Sequence, residues 1–228
     1  MKKIRIPDNL TTLAYKTIRN YIWEGQLNEG TRLTEEYLSR QLGISKSPVR
    51  EALNRLESEG LIHIEPRRGA YLRTFSTREI EDIYDLREAL EAHAVARARI
   101  TPELVADLEQ SVGRSRLYLE ANDKFRYIEE DVNFHARIAR STGNERLLKA
   151  LENLQHQVWL FRRQTYDLSR SNAIASHTAI AAAIARKDRR AAERLMREHI
   201  SGVCRKLIAH LRESGQPQPR AAMLAPVG

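Results

Sequence analysis

Residues 33–53 read Leu33-Thr34-Glu35-Glu36-Tyr37-Leu38-Ser39-Arg40-Gln41-Leu42-Gly43-Ile44-Ser45-Lys46-Ser47-Pro48-Val49-Arg50-Glu51-Ala52-Leu53, and they encode two helices parted by a glycine turn. Thr34 caps the first helix, Glu35 and Glu36 suit the positive end of its dipole, and Leu38 and Leu42 form its inner face. Gly43 stops it. Ser45 caps the second helix, and Pro48 sits in its first turn, where a missing N–H costs little. Val49, Ala52, Leu53 and Leu56 form the inner face before Gly60 ends the element. Lys46, Ser47, Arg50 and Asn54 stand three or four residues apart and so share one outer stripe. Donors on such a stripe suit the DNA major groove: Arg grips guanine O6 and N7 with two bonds, and Asn does the same with adenine.

Upstream, Asp8 or Asn9 can cap a helix whose apolar positions Leu10, Leu13, Ala14, Ile18, Tyr21 and Ile22 repeat as one buried face, and Gly25 and Gly30 bracket the loop after it. Downstream the period changes. Leu61–Glu65 and Ala70–Thr74 read as two strands around the turn Pro66-Arg67-Arg68-Gly69. A lone hairpin is marginal, so this one must lean on the preceding helices, with Arg67 and Arg68 free to reach phosphates or a minor groove. A basic stripe alone fits an ordinary solvated helix face. The glycine turn, the proline-started helix and the arginine-tipped hairpin together favour nucleic acid.

Composition agrees. The 228 residues are 42% hydrophobic and 30% charged, a balance that supports a core and argues against general disorder. Net charge is +8; residues 1–78 carry 14 Lys/Arg against 9 Asp/Glu, whereas the remainder carries 24 against 21. The excess cation density near the N-terminus points to a polyanion there. The longest apolar run, Ala179–Ala185, is far short of the ~20 residues a bilayer needs, and no basic-then-apolar leader opens the chain. The single Cys204 excludes an internal disulfide and a thiolate zinc cluster, which suits a cytoplasmic protein.

Beyond Thr77 the pattern is helical throughout. Helices are expected near 77–99, 102–121, 123–141, 144–166, 170–187 and 188–212, parted at Thr101-Pro102, Asn122-Asp123, Gly143-Asn144 and Lys187-Asp188. Short breaks imply an antiparallel bundle. Three of the seven histidines fall on inward faces: His135 with Asp131, Val132, Ile138 and Ala139; His177 with Ile174, Ala181 and Ile184; His199 with Leu195, Met196 and Val203. Each buried imidazole needs a partner. One Asp and three His from three helices are a plausible shell for zinc, nickel or manganese, and satisfied core histidines are the alternative. Arg87, among Ile83, Tyr84 and Leu90, points inward, where it must pair with an acid such as Glu91 or await an anionic ligand. Trp159 and Arg163 are candidates for lining the same space, although helical spacing equally suits Trp159 to plain core.

Residues 33–53, with the Arg67-Arg68-Gly69 turn, resemble the winged helix-turn-helix of the GntR family of bacterial transcription regulators over about 65 residues. The resemblance implies DNA contacts from Ser45, Lys46, Ser47 and Arg50, assisted by the wing tip at Gly69. Glu36 stands where some members carry a basic contact residue, so no contact is assigned to it; Lys46 replaces the commoner Arg and loses its two-pronged geometry. Residues 79–210 are similar to the FCD ligand-binding domain of the FadR-type branch, through Asp131-Val132-Asn133-Phe134-His135, Ser141-Thr142-Gly143-Asn144, His177 before Thr178-Ala179-Ile180, and Met196-Arg197-Glu198-His199. That resemblance implies a divalent metal at Asp131, His135, His177 and His199, helping to hold a small carboxylate effector near Arg87.

The expected fold is mostly α: a winged helix-turn-helix of three helices plus a β-hairpin over residues 8–75, an antiparallel all-helical bundle over 77–212, and a disordered tail over 213–228. The expected function is a ligand-responsive regulator, a repressor acting as a homodimer on a pseudo-palindromic DNA operator, with no membrane partner. Two other readings stay open: a metal-dependent enzyme, for which no general base or nucleophile motif is found, and an architectural DNA binder whose bundle only dimerises.

Overall fold

The computed structural model describes residues 9–27 and 31–213, without the side chains of residues 163–165, 169 and 171. It divides into two compact units, one running to Thr74 and one starting at Phe75. The cap at Asp8, the loop position Gly30 and the tail from residue 214 lie outside the described residues; Glu213, assigned to the tail from sequence, instead ends the last helix.

The first unit is α1 (Leu10–Glu24), α2 (Glu35–Leu42), α3 (Lys46–Ser58), β1 (Ile62–Glu65) and β2 (Gly69–Leu72). Asn9 caps α1 by accepting from the Thr11 N–H, and Thr34 Oγ1 caps α2 by accepting from the Tyr37 N–H at 3.1 Å. Gly43 adopts φ 65° and donates its N–H to Ser39, the left-handed turn that lets α3 start in a new direction. Val49, Ala52, Leu53 and Leu56 are buried as expected. The inner face of α1 is the expected one only in part. Leu10, Leu13 and Tyr21 are exposed, and the buried set is Ala14, Tyr15, Ile18 and Ile22. Tyr15 goes inward because its hydroxyl has a buried acceptor, donating to Glu59 Oε2 at 2.6 Å, while Arg55 stacks over its ring.

The strands are antiparallel with Ile62 opposite Leu72 and Glu65 opposite Gly69, slightly shorter than the sequence pattern suggests. The hairpin leans on the segment before α2: Leu33 and Ala70 exchange two backbone hydrogen bonds of 2.8 Å. It also leans on α3, where Glu57 Oε1 accepts from the Ile64 N–H at 2.7 Å. Gly69 sits at that junction with φ 108°, and a Cβ there would lie 2.9 Å from the Leu33 carbonyl oxygen. Only glycine meets both demands.

The second unit is α4 (Thr77–Arg97), α5 (Pro102–Glu120), α6 (Lys124–Ser141), α7 (Glu145–Ala185) and α8 (Arg189–Glu213). Ser76 and Glu79 form a reciprocal capping box on α4, Thr101 caps α5 with Pro102 in its first turn, and Asp123 and Asn144 cap α6 and α7. The break expected between 166 and 170 does not occur. Residues 145–185 contain neither Gly nor Pro, so the polar run around Asp167-Leu168-Ser169-Arg170 stays helical and α7 continues for 41 residues, roughly 60 Å. α4 packs on α6, α7 and α8, and α6 packs on α5 and α7. The inward faces of α4, α6, α7 and α8 therefore share one interior.

Gly69→Ala should strain the backbone and push the Leu33 carbonyl out of its bridge, destabilising the first unit by about 1–3 kcal/mol. Thermal unfolding of the full chain should show this as a lowered first transition; an unchanged transition would contradict the role given to Gly69.

Candidate functional site

On the first unit, Ser45, Lys46, Ser47, Arg50 and Asn54 are all exposed along α3, opposite its buried face, and Arg67 and Arg68 are exposed at the hairpin turn beside a half-buried Gly69. Ser45 takes the cap position of α3, yet its hydroxyl makes no capping hydrogen bond, contrary to expectation. Arg67 turns the hairpin with φ 65°. Arg50 is not free: its Nε and Nη2 donate to Glu35 Oε1 and Oε2, each at 2.7 Å. Lys46 stands 3.8 Å from Glu36, which also takes Arg40 at 3.2 Å. Hydroxyls, a cation, a guanidinium and an amide along one helix face, next to two arginines on a turn, form a surface able to bond both base edges and phosphates.

On the second unit, His135 of α6, His177 of α7 and His199 of α8 meet in the interior. His177 Nε2 lies 3.2 Å from His135 Nε2 and 3.2 Å from His199 Nε2. All three rings are buried, and His177 stacks on Phe134 with centroids 4.1 Å apart. Two imidazole nitrogens on one tetrahedral zinc at about 2.05 Å sit roughly 3.3 Å apart, so both of these spacings suit one ion, and the three donors lie within 4.8 Å of one another. Burial pushes His177 down to about 3 and His199 well below its ordinary range, which keeps both rings neutral and able to donate a lone pair.

Carboxylates and guanidiniums surround the rings. His135 Nδ1 bonds Glu91 Oε2, and Arg87 Nε donates to Glu91 Oε1 at 2.6 Å. A carboxylate on the far nitrogen of an imidazole fixes its tautomer and aims Nε2 at the centre. Asp131 Oδ1 lies 3.7 Å from His177 Nε2 and 2.7 Å from Arg162 Nη1. The three histidines thus converge, while Asp131 stands at their edge, held by an arginine. Burial opposes ionisation of both acids, and the adjacent guanidiniums (Arg87 for Glu91, Arg162 for Asp131) outweigh it, leaving each near 2.

Arg87 is fully buried, and the pairing with Glu91 posed for it is present. Its Nε pairs with Glu91, whereas Nη1 and Nη2 find no hydrogen-bond partner among the described residues. Arg162 Nε and Nη2 and the Tyr84 hydroxyl are in the same condition. Trp159 is buried and packs edge-on against Phe125, and the Arg163 side chain lies outside the described residues. Two clefts approach the site: one of about 360 Å³ between α7 and α8 is lined by His199, and one of about 520 Å³ between α4 and α8 is lined by Tyr84. Sequence reasoning missed Arg162 as the partner of Asp131 and Glu91 as the anchor of His135. Arg162 was discoverable, since Gln155, Trp159 and Tyr166 mark its stripe of α7 as interior.

Residues 82–202 match the FCD domain, and residues 10–72 match the bacterial regulatory proteins of the gntR family. The chain is 29% identical to the HTH-type transcriptional repressor RspR of Escherichia coli (strain K12) over 193 residues, 83% of this chain and 85% of that protein. It is 34% identical to the gluconate operon transcriptional repressor of Bacillus licheniformis over 141 residues, 60% of this chain and 57% of that one. The solved structure of E. coli McbR/YncC superposes with a TM-score of 0.75 at 25% identity, covering 90% of this chain and 98% of that one. A GntR regulator structure from Rhodococcus sp. RHA1, 21% identical with a TM-score of 0.78, shares the fold over 87% of this chain and 97% of that one. The gntR family model and both curated relatives named here are those of transcription regulators. No helix among the described residues is long and apolar enough to cross a membrane.

Buried His177 and His199 set a pH dependence. The unfolded chain takes up protons near 6.5, whereas folded His177 resists until about 3, so metal-free protein should lose stability as pH falls through that interval. Each such ring contributes up to about 1.4 kcal/mol per pH unit. Glu91 and Asp131, ionised down to about 2, add further loss below about pH 4.5. Denaturant unfolding of chelator-treated protein between pH 7.5 and 5 measures this, and a flat profile would contradict it.

Proposed function

This chain belongs to the GntR family of bacterial regulatory proteins, carries an FCD domain and is a DNA-binding transcription regulator, and we propose that it is a repressor whose operator affinity is set by a divalent metal and a small organic acid in the helical unit. The observation that carries this reading is the meeting of three buried imidazole nitrogens beside buried guanidinium groups that still have donors to offer.

The DNA half of the reading follows from α3. Its N-terminal turns enter the major groove, where Arg50 and Asn54 bond base edges and Ser45, Lys46 and Ser47 bond edges or phosphates. Arg67, Arg68 and the Gly69 backbone meet the flanking backbone or minor groove. Two such units in a homodimer read a pseudo-palindrome, one half-site each.

In the helical unit, His135, His177 and His199 hold the metal through Nε2, with Asp131 the adjacent carboxylate ligand and Arg162 its orienting partner. A divalent ion there, zinc or else nickel or manganese, supplies a Lewis-acidic position for an oxygen ligand. Glu91 keeps His135 in the required tautomer, and Arg87 offers Nη1 and Nη2 to a carboxylate with charge-assisted, two-pronged bonds. Regulation of a gluconate operon by one relative is in keeping with an acid as signal. The acid changes operator affinity only as far as it favours one arrangement of the two DNA-reading units over another.

Arg50→Ala should weaken binding to a selected operator at least tenfold, an order expected for one base-reading arginine, and leave metal content unchanged. Unchanged operator affinity would remove α3 from the interface. Chelated protein reloaded with zinc should melt higher than apo protein, and a screen of small organic acids should find one that raises it further by mass action and shifts operator affinity. A screen in which no acid moves the loaded protein, or in which His177→Ala retains zinc, would overturn the effector half.

A further inference from the structure

The contact between α2 and α3 at the candidate DNA surface is a charged one, and its geometry is unequal. Glu35 takes Arg50 on two prongs at 2.7 Å each, with the acid recessed (33% exposed) and the guanidinium outside it (61% exposed). Glu36, 65% exposed, takes Arg40 and Lys46 through single longer contacts of 3.2 and 3.8 Å. Only Arg50 is locked in direction. The hydrogen bond to Glu35 raises the Arg50 guanidinium above its ordinary value, and the Glu35 carboxyl is lowered by the same bond.

A guanidinium carries five N–H groups in a plane. Glu35 uses Nε and one hydrogen of Nη2, which leaves the second Nη2 hydrogen and one Nη1 hydrogen on the adjacent edge, with the other Nη1 hydrogen pointing away from both. That edge is the fork that matches guanine O6 and N7. The acid and the base therefore do not compete for the same hydrogens. A phosphate is treated differently, because it would bring a second anion beside Glu35, whereas a guanine edge is uncharged.

We propose that Glu35 is a positioning residue for DNA reading: it holds Arg50 side-on so that the Nη1/Nη2 edge meets one guanine in each half-site, and its charge disfavours the phosphate contact that an unrestrained arginine would make. This rests on the assignment of α3 to the major groove. Glu35 raises the specificity ratio rather than the affinity for DNA as such, and Glu36, exposed and shared between two cations, has no equivalent part.

The test uses the full chain. Binding sites are selected from a random duplex pool, and wild type, Arg50→Ala, Glu35→Gln and Glu35→Asp are titrated against the selected duplex, the same duplex with 7-deazaguanine at each guanine in turn, and an unrelated duplex. Arg50→Ala should lose discrimination at one guanine per half-site. Glu35→Gln should lose about tenfold discrimination at that same guanine, become indifferent to its N7, and bind the unrelated duplex as tightly as wild type or more so. Glu35→Asp should recover part of the N7 sensitivity, a readout that a merely structural role would not move. Full guanine discrimination by Glu35→Gln, or equal weakening on selected and unrelated DNA, would overturn the proposal. Undiminished discrimination by Arg50→Ala would overturn instead the major-groove assignment beneath it.

Discussion

Burying charge is the constraint on which the helical unit depends. Arg87, Glu91, Asp131 and Arg162 are withdrawn from water, each with at most 2% of its surface exposed. An ion taken from water costs several kcal/mol even after relaxation, and an apolar core of similar volume is often as stable. A protein that only needed four helices to stick together has no use for this set. The charges alternate, Arg87 to Glu91 to His135 and Arg162 to Asp131 to His177, so every acid has a guanidinium on one side and an imidazole on the other. The acids therefore stay ionised, His177 stays neutral, and both rings are held in orientation. Those are conditions a cation-binding centre requires.

The same logic recurs at the surface with the opposite emphasis. Around α3 the ion pairs are exposed and add little to stability. What they control is direction. A bidentate carboxylate restricts a long flexible side chain to one orientation, and the tight Gly43 turn sets α2 and α3 at the angle that lets Glu35 reach Arg50. The hairpin is held in a comparable way, by the Leu33–Ala70 bridge and the Glu57 bond to Ile64, so its arginine tip projects from a fixed base.

How far the residues alone disclosed this depends on the kind of order involved. The inner face of α3 was legible because apolar spacing at i, i+3 and i+4 has one reading once caps bound the helix. The face of α1 was misread because Leu10, Leu13 and Tyr21 fit the same period as Ala14, Ile18 and Ile22; Tyr15 displaced them through Glu59, a partner 44 residues away. The continuous α7 was misread because a polar run resembles a loop in composition, although nothing in residues 145–185 forces the backbone out of a helix. Inward positions for His135, His177 and His199 followed from period alone. Their meeting did not, nor did the pairing of Asp131 with Arg162.

Local chemistry in the chain determined the helices and their ends, the glycine turn before the reading helix, the hairpin with its arginine tip, and the three inward histidines. These depend on caps, dihedral freedom and helical period, which act over a few residues. The packing of α4, α6, α7 and α8 decided the rest: which acid anchors which ring, which arginine keeps donors in reserve, and which cation on α3 is held in place. Each of those is a pairing between helices, and its distance depends on how side chains far apart in sequence share one interior.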